Sequence, residues 1–196
     1  MTTTTLHKML EAYHQPDNSY QKSYQFQCLH MLESQPGRCL WRDNFSPGHF
    51  TASAWVTNPS HTKVFLIHHS KINKWIQFGG HADGNPDLQE VALRELAEES
   101  GYTLQHINHA PAEIFDIDVH YYPPRTKNGV EEPAHLHYDI RFLIEIDDAI
   151  PIPGSAENQT MQWFTLDEAV RAVEPENSVQ RMLAKTREIS RQRAAA

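Results

Sequence analysis

The residues best equipped for chemistry lie in one stretch, GGHADGNPDLQEVALRELAEESGY, from Gly79 to Tyr102. Within it Glu95, Glu98 and Glu99 stand at i, i+3 and i+4, so a helix crowds three carboxylates onto one side. Two unit charges about 5 Å apart repel by roughly 3 kcal/mol at an effective dielectric near 20. Arg94, four residues before Glu98, can neutralise one carboxylate, but one arginine cannot satisfy three. A divalent cation can. Mg²⁺ and Mn²⁺ take oxygen ligands: carboxylates, substrate phosphates and water. A solvated acidic helix face is the other reading of the same spacing. Gly79-Gly80 ahead of the helix lets backbone approach a ligand closely and offers a carbonyl oxygen as a further ligand.

These side chains need a frame. Residues 88–100 read as the strongest helix in the chain, with Asp87 and Glu90 spaced as a capping box and Gly101 as the C′ residue. Before it, Phe50–Val56, Lys63–Ile67 and Trp75–Phe78 read as short strands, the last running into the two glycines. After it, strands are expected at 113–121, 136–146 and 160–164. Thr165 and Glu168 open a short helix, and Pro175 starts a last one with Val179, Met182, Leu183, Thr186 and Ile189 on one face. The tail 191–196 is expected to fray. At the other end Leu6, Met9, Leu10 and Tyr13 form one helical stripe, and Tyr20, Tyr24, Cys28 and Met31 form a second. Pro16-Asp17-Asn18-Ser19 separates the two. Residues 36–48 read as a loop with Pro47-Gly48 as its turn. The order predicts an α/β or α+β sandwich: residues 1–45 as an N-terminal helical appendage, 46–196 as the main domain.

The stretch resembles the Nudix box of the MutT-type pyrophosphohydrolases: Gly, five residues, Glu, seven residues, then Arg-Glu-apolar-x-Glu-Glu-x-Gly-apolar. Gly80, Arg94-Glu95-Leu96-Ala97-Glu98-Glu99 and Gly101-Tyr102 match in register. Pro86 departs, standing where the family has its first Glu, with Asp87 beside it and Asp83 in the preceding loop. The resemblance extends over roughly residues 49–172. It implies an α/β/α sandwich with a mixed β-sheet, and hydrolysis of a phosphoanhydride in a nucleoside diphosphate linked to some moiety X. It further implies Mg²⁺ or Mn²⁺ held by the Gly80 carbonyl, Glu95, Glu98 and Glu99, with Arg94 orienting the carboxylates and Glu95 or Glu99 as base. Glu157, six residues before Trp163, stands where family members often carry a downstream metal-binding acid; it also reads as an exposed loop acid. Two other readings share the fold. One is a non-catalytic nucleotide-sensing module, in which the box is typically eroded. The other is an isomerase like the isopentenyl diphosphate isomerases, which needs a cysteine in an active-site strand, whereas Cys28 and Cys39 precede the sheet.

Thirteen histidines is a high count. His49, His68-His69 and His81 flank the expected strands, and His135, His137 and Asp139 share one face of a later one. That row could hold a metal, contact phosphates or a base, or be a half-polar face of hydrogen-bonded side chains. His81, beside Gly80, is the histidine most expected to touch phosphate; Arg141, Lys71 and Lys74 are further candidates. Trp75, Phe78 and Tyr122 could stack on a base or fill the core.

Composition sets the outer limits. Seventeen basic against 25 acidic residues give a formal charge of −8, which argues against bulk nucleic acid or anionic membrane as partner. No apolar run approaches the roughly 20 residues of a membrane span, and the first residues lack the pattern of a signal peptide. Two cysteines make neither a disulfide framework nor a zinc ribbon. The expectation is a soluble, cytoplasmic protein with a nucleotide-type small-molecule substrate. The 20–32 stripe packs on the body or forms a homodimer surface.

Overall fold

The computed structural model describes residues 2–14, 19–70, 72–127, 129–154, 160–175 and 178–195. Glu157 and Lys71 lie outside the described residues. Two helices, α1 (Thr3–Ala12) and α2 (Ser19–Ser34), precede the strands β1 (Gly48–Thr57), β2 (Lys63–His69), β3 (Lys74–Ile76) and β4 (Phe78–His81). Helix α3 (Leu88–Ser100) follows, then β5 (Ile107–His109), β6 (Ile114–Tyr122), β7 (Arg125–Lys127), β8 (Val130–Glu132), β9 (His135–Ile146) and β10 (Met161–Thr165). Helices α4 (Leu166–Ala172) and α5 (Ser178–Ala195) close the chain. The main sheet runs β10-β2-β1-β9-β5, with β3 on β2, β4 on β1 and β6 on β9; β7 and β8 form a separate hairpin. The fold is α/β with the expected N-terminal helices.

The chain forms two compact units. The first comprises Met1–Ser53, Gly80–Val91 and Ala112–Arg141; the second comprises Ala54–Gly79, Ala92–Pro111 and Phe142–Ala196.

In the first unit, α1 buries Leu6 and Leu10, while α2 buries Cys28 and Met31 of its expected stripe but is rotated so that Tyr20 at its start stands exposed. Tyr20 and Phe26 are 72% and 71% exposed, while Gln21, Cys28, Met31 and Leu32 are buried. The rotation follows from Gln21. Its amide donates to the Ile117 carbonyl oxygen of β6 at 2.6 Å and accepts from the Tyr13 hydroxyl, so a buried polar group finds its partners. Residues 36–48 are not one loop, since Arg38–Leu40 form a short 3₁₀ turn. Nor is Gly48 a turn residue, because it opens β1. A Cβ there would lie 1.8 Å from the Leu136 carbonyl oxygen, so only glycine permits this approach.

In the second unit, Phe65 of β2 stacks between Phe78 and Trp163, each with ring centroids 5.1 Å away, and meets Tyr102 edge-on at 5.5 Å. Strand β10 pairs antiparallel with β2, Trp163 opposite Phe65, and β3 pairs with β2, Ile76 opposite Ile67. Trp55 donates to Thr186 of α5 at 2.8 Å. Thr165 and Glu168 make the full capping box of α4. Pro175 lies in a turn rather than opening the last helix, which spans Ser178–Ala195.

Candidate active site

Helix α3 forms where the periodicity places it. Asp87 Oδ1 accepts from the Glu90 backbone N–H at 3.1 Å, which caps the first turn. Gly101 ends the helix at φ 78°, and a Cβ there would meet the Gly154 carbonyl oxygen at 2.4 Å. Ahead of the helix, the two glycines lie within strand β4, which runs through them to His81.

The acidic turn belongs to the second unit. Arg94 reaches both neighbours, with Nη2 2.9 Å from Glu95 Oε1 and Nη1 3.3 Å from Glu98 Oε1. Glu99 turns instead to the backbone, its Oε2 accepting from the Gly79 N–H at 3.1 Å. Glu95 is 16% exposed and Glu98 is 60% exposed. Among the described residues, the three glutamates do not bring one oxygen each within 4.8 Å of the others. Arg94 draws two of them toward itself. Three carboxylates, all hard oxygen donors, stand against one guanidinium, and such a set suits a hard divalent cation. Gly80 follows Gly79 in β4 and belongs to the first unit.

The first unit holds the histidines. His49 of β1 lies with His135 and His137 of β9, ring centroids 4.9 and 4.8 Å from it, and all three are buried. His81 stands beside them, 5.1 Å from His49 and 5.4 Å from His137. Burial pushes His49 and His81 down to about 4 and His137 down to about 2; neighbouring imidazoles and, for His49 and His81, Arg42 add to the shift. Asp139 shares their strand face but not their company. Its carboxylate accepts from Thr51 at 3.0 Å, Ser53 at 2.9 Å and Arg141 Nε at 2.7 Å. Arg141 is therefore no surface phosphate partner. It is 2% exposed, within 3.1 Å of Asp116 and 3.3 Å of Asp118. Burial disfavours its charge, but three carboxylates outweigh that and raise its pKa. Lys74 pairs with Glu174 at 2.8 Å. Phe78 is core, Trp75 packs edge-on against Phe164 at 4.8 Å, and Tyr122 stacks on His137 at 4.6 Å.

His49 is the residue whose place the sequence does not disclose. Its partners come from a distant strand, brought to it by the pairing of β1 with β9 and by the Leu136 N–H donating to the Pro47 carbonyl oxygen at 2.9 Å.

An α/β fold carrying an arginine and three glutamates on one turn of a helix defines the class. Residues 47–185 match the model of the NUDIX domain. The chain belongs to the NUDIX family. It is 27% identical over 127 residues to an m7GpppN-mRNA hydrolase, NUDT17, of Xenopus laevis, an alignment covering 59% of this chain and 41% of that one. The chain thus spans about two-fifths of the length of this curated relative. Among solved structures it resembles an Ap4A hydrolase of C. elegans in a binary complex, with a TM-score of 0.54 and 17% identity. A further structure of C. elegans Ap4A hydrolase gives a TM-score of 0.51 and 15% identity. Both matches cover 71% of this chain and 96% of the other, and the likeness is one of fold.

Proposed function

We propose that this chain is a divalent-metal-dependent hydrolase that cleaves a phosphoanhydride bond in a nucleoside diphosphate linked to a further moiety. The observation that carries the reading is the acidic turn of α3, with Glu95 and Glu98 on Arg94 and Glu99 on the Gly79 N–H. Glu95, Glu98 and Glu99 would hold Mg²⁺ or Mn²⁺. The chemistry supplied by such a bound cation is neutralisation of phosphate charge and polarisation of the phosphoryl group. Arg94 keeps the carboxylates of adjacent helical turns oriented before a cation arrives. Glu99, whose Oε2 accepts from the Gly79 N–H, or Glu95 would take the proton of the attacking water.

The names of the relatives suggest the order in which substrates are tried. Both names, m7GpppN-mRNA hydrolase and Ap4A hydrolase, describe two nucleosides joined through a phosphate chain. Dinucleoside polyphosphates and capped ends therefore head the panel, with nucleoside triphosphates and nucleotide sugars behind them. An isomerase reading is disfavoured, because Cys28 and Cys39 are sealed thiols whose pKa values burial raises, that of Cys39 to about 11.

Phosphate release from that panel with Mg²⁺ or Mn²⁺ is the test. Turnover is expected for at least one class, with Glu99→Gln lowering kcat by about 10²-fold or more, the scale of a lost general base. Tight nucleotide binding without turnover in the parent chain would replace this reading with a sensing module.

A further inference from the structure

Within the first unit, β1 and β9 place His49, His135 and His137 so that one ring nitrogen from each lies within 4.8 Å of the others. The three are 1%, 5% and 8% exposed. Each ring nitrogen taken out of water needs a partner. The outer nitrogens have theirs. His49 Nδ1 donates to the Asn44 carbonyl oxygen at 3.1 Å, and His135 Nδ1 donates to that of Pro133 at 2.7 Å. Those bonds put the proton on Nδ1 and leave the Nε2 lone pairs to face inward. There, His49 Nε2 is buried with no hydrogen-bond partner. His135 Nε2 meets His137 Nε2 at 3.1 Å, a contact in which at most one proton can be shared.

We infer that His49, His135 and His137 form a binding site for a divalent transition-metal ion of the zinc class, held through three imidazole nitrogens. Imidazole suits Zn²⁺ and its neighbours in the first row, whereas Mg²⁺ takes oxygen, so this donor set selects a different ion from the glutamates of α3. Bonds of about 2.0–2.1 Å in a tetrahedron set ligand nitrogens about 3.3 Å apart. The His135–His137 separation is already 3.1 Å. The carbonyls of Asn44 and Pro133 are the outer-shell acceptors that orient a ligating histidine and raise its basicity. Three protein ligands leave a fourth position, beside which the His81 ring stands. The ion cross-links the opening of β1 to that of β9.

The full chain, stripped with a chelator and reloaded with Zn²⁺ under excess Mg²⁺, tests the site through metal content. One equivalent is expected to remain. His135→Asn should raise the Zn²⁺ Kd by more than the roughly 100-fold that loss of an outer-shell partner costs. A variant carrying Glu95→Gln, Glu98→Gln and Glu99→Gln should keep its zinc while losing hydrolysis, so the two sites fail or stand separately. X-ray absorption at the zinc edge of the parent chain should show imidazole nitrogens at about 2.0–2.1 Å. That measurement decides the matter alone if His135→Asn does not fold. Retention well below one equivalent, an oxygen-only shell, or zinc lost with the glutamates but kept without His135 overturns the proposal.

Discussion

At the scale of single residues, charge and burial decide what each group can do. Arg94 spans Glu95 and Glu98, so the acidic turn is held by an internal cation before any external one binds. The Glu98 half of that arrangement was legible because its cause is local: residues four apart on a helix are neighbours; the contact with the adjacent Glu95 was not. His61 shows what local reading misses. It sits in the second unit at φ 52°, fully buried, with Nε2 3.0 Å from Glu145 and Nδ1 3.1 Å from Thr57. Burial depresses its pKa below the ordinary 6.5; Arg193 and His109 add to this, and Glu145 opposes it without reversing the direction. A histidine depressed in the folded state binds fewer protons than it does unfolded. Stability is therefore lost as pH falls through 6.5 toward the lower folded value. His61→Asn removes that titration with a residue that tolerates positive φ. Denaturant-derived stability should fall less steeply between pH 6.5 and 5 in the variant. The difference in slope is bounded by about 1.4 kcal/mol per pH unit, the contribution of one proton. Parallel pH profiles for the two proteins would refute the assignment.

At the scale of elements, β9 does more than its apolar pattern announces. The strand at 136–146 was readable from buried apolar residues at Ile140, Phe142, Ile144 and Ile146. Its polar face was readable as a row, but the partners were not: Arg141 meets Asp116 and Asp118 on β6, and Asp139 accepts from Thr51 and Ser53. A row of such contacts is long-range and leaves no periodic trace. The same holds for β7 and β8, polar segments paired only through Arg125 opposite Glu132, Thr126 opposite Glu131 and Lys127 opposite Val130. Conversely, the single strand expected at Trp75–Phe78 is two, β3 and β4, and the second carries on through the glycines because it pairs with β1. Removing Arg141 leaves buried aspartates without their counter-charge. Arg141→Ala should cost about 3–5 kcal/mol of unfolding free energy, the cost of breaking a buried pair from one side. Urea denaturation measures it. A loss under about 1 kcal/mol would mean that the carboxylates take up protons or water without penalty.

At the scale of the whole molecule, the balance of charge bears on the choice between small phosphates and long chains of them. The formal charge is −8. Many of the cations are already committed within the chain: Arg38 to Asp43, Arg42 to Asp83, Arg125 to Glu132, Arg187 to Asp167, Arg193 to Glu145 and Lys63 to Asp148. Backbone phosphates are gripped by releasing counterions to unpaired lysines and arginines, and affinity falls with log salt in proportion to the number of such contacts. A cation paired with a carboxylate of its own chain has less to offer such a backbone. A small phosphoanhydride faces a different balance, because a divalent cation on the α3 glutamates would supply the positive charge locally. An uncapped single-stranded RNA of about 20 nucleotides, followed by fluorescence anisotropy, should bind no tighter than about 10⁻⁴ M at physiological salt, the weak end of non-specific binding. Lowering the salt should improve it only slightly, since the slope counts the phosphate contacts. A micromolar Kd with a steep salt dependence would reveal a basic track that the ion pairs conceal, and would move the substrate from a small nucleotide to the end of a long RNA.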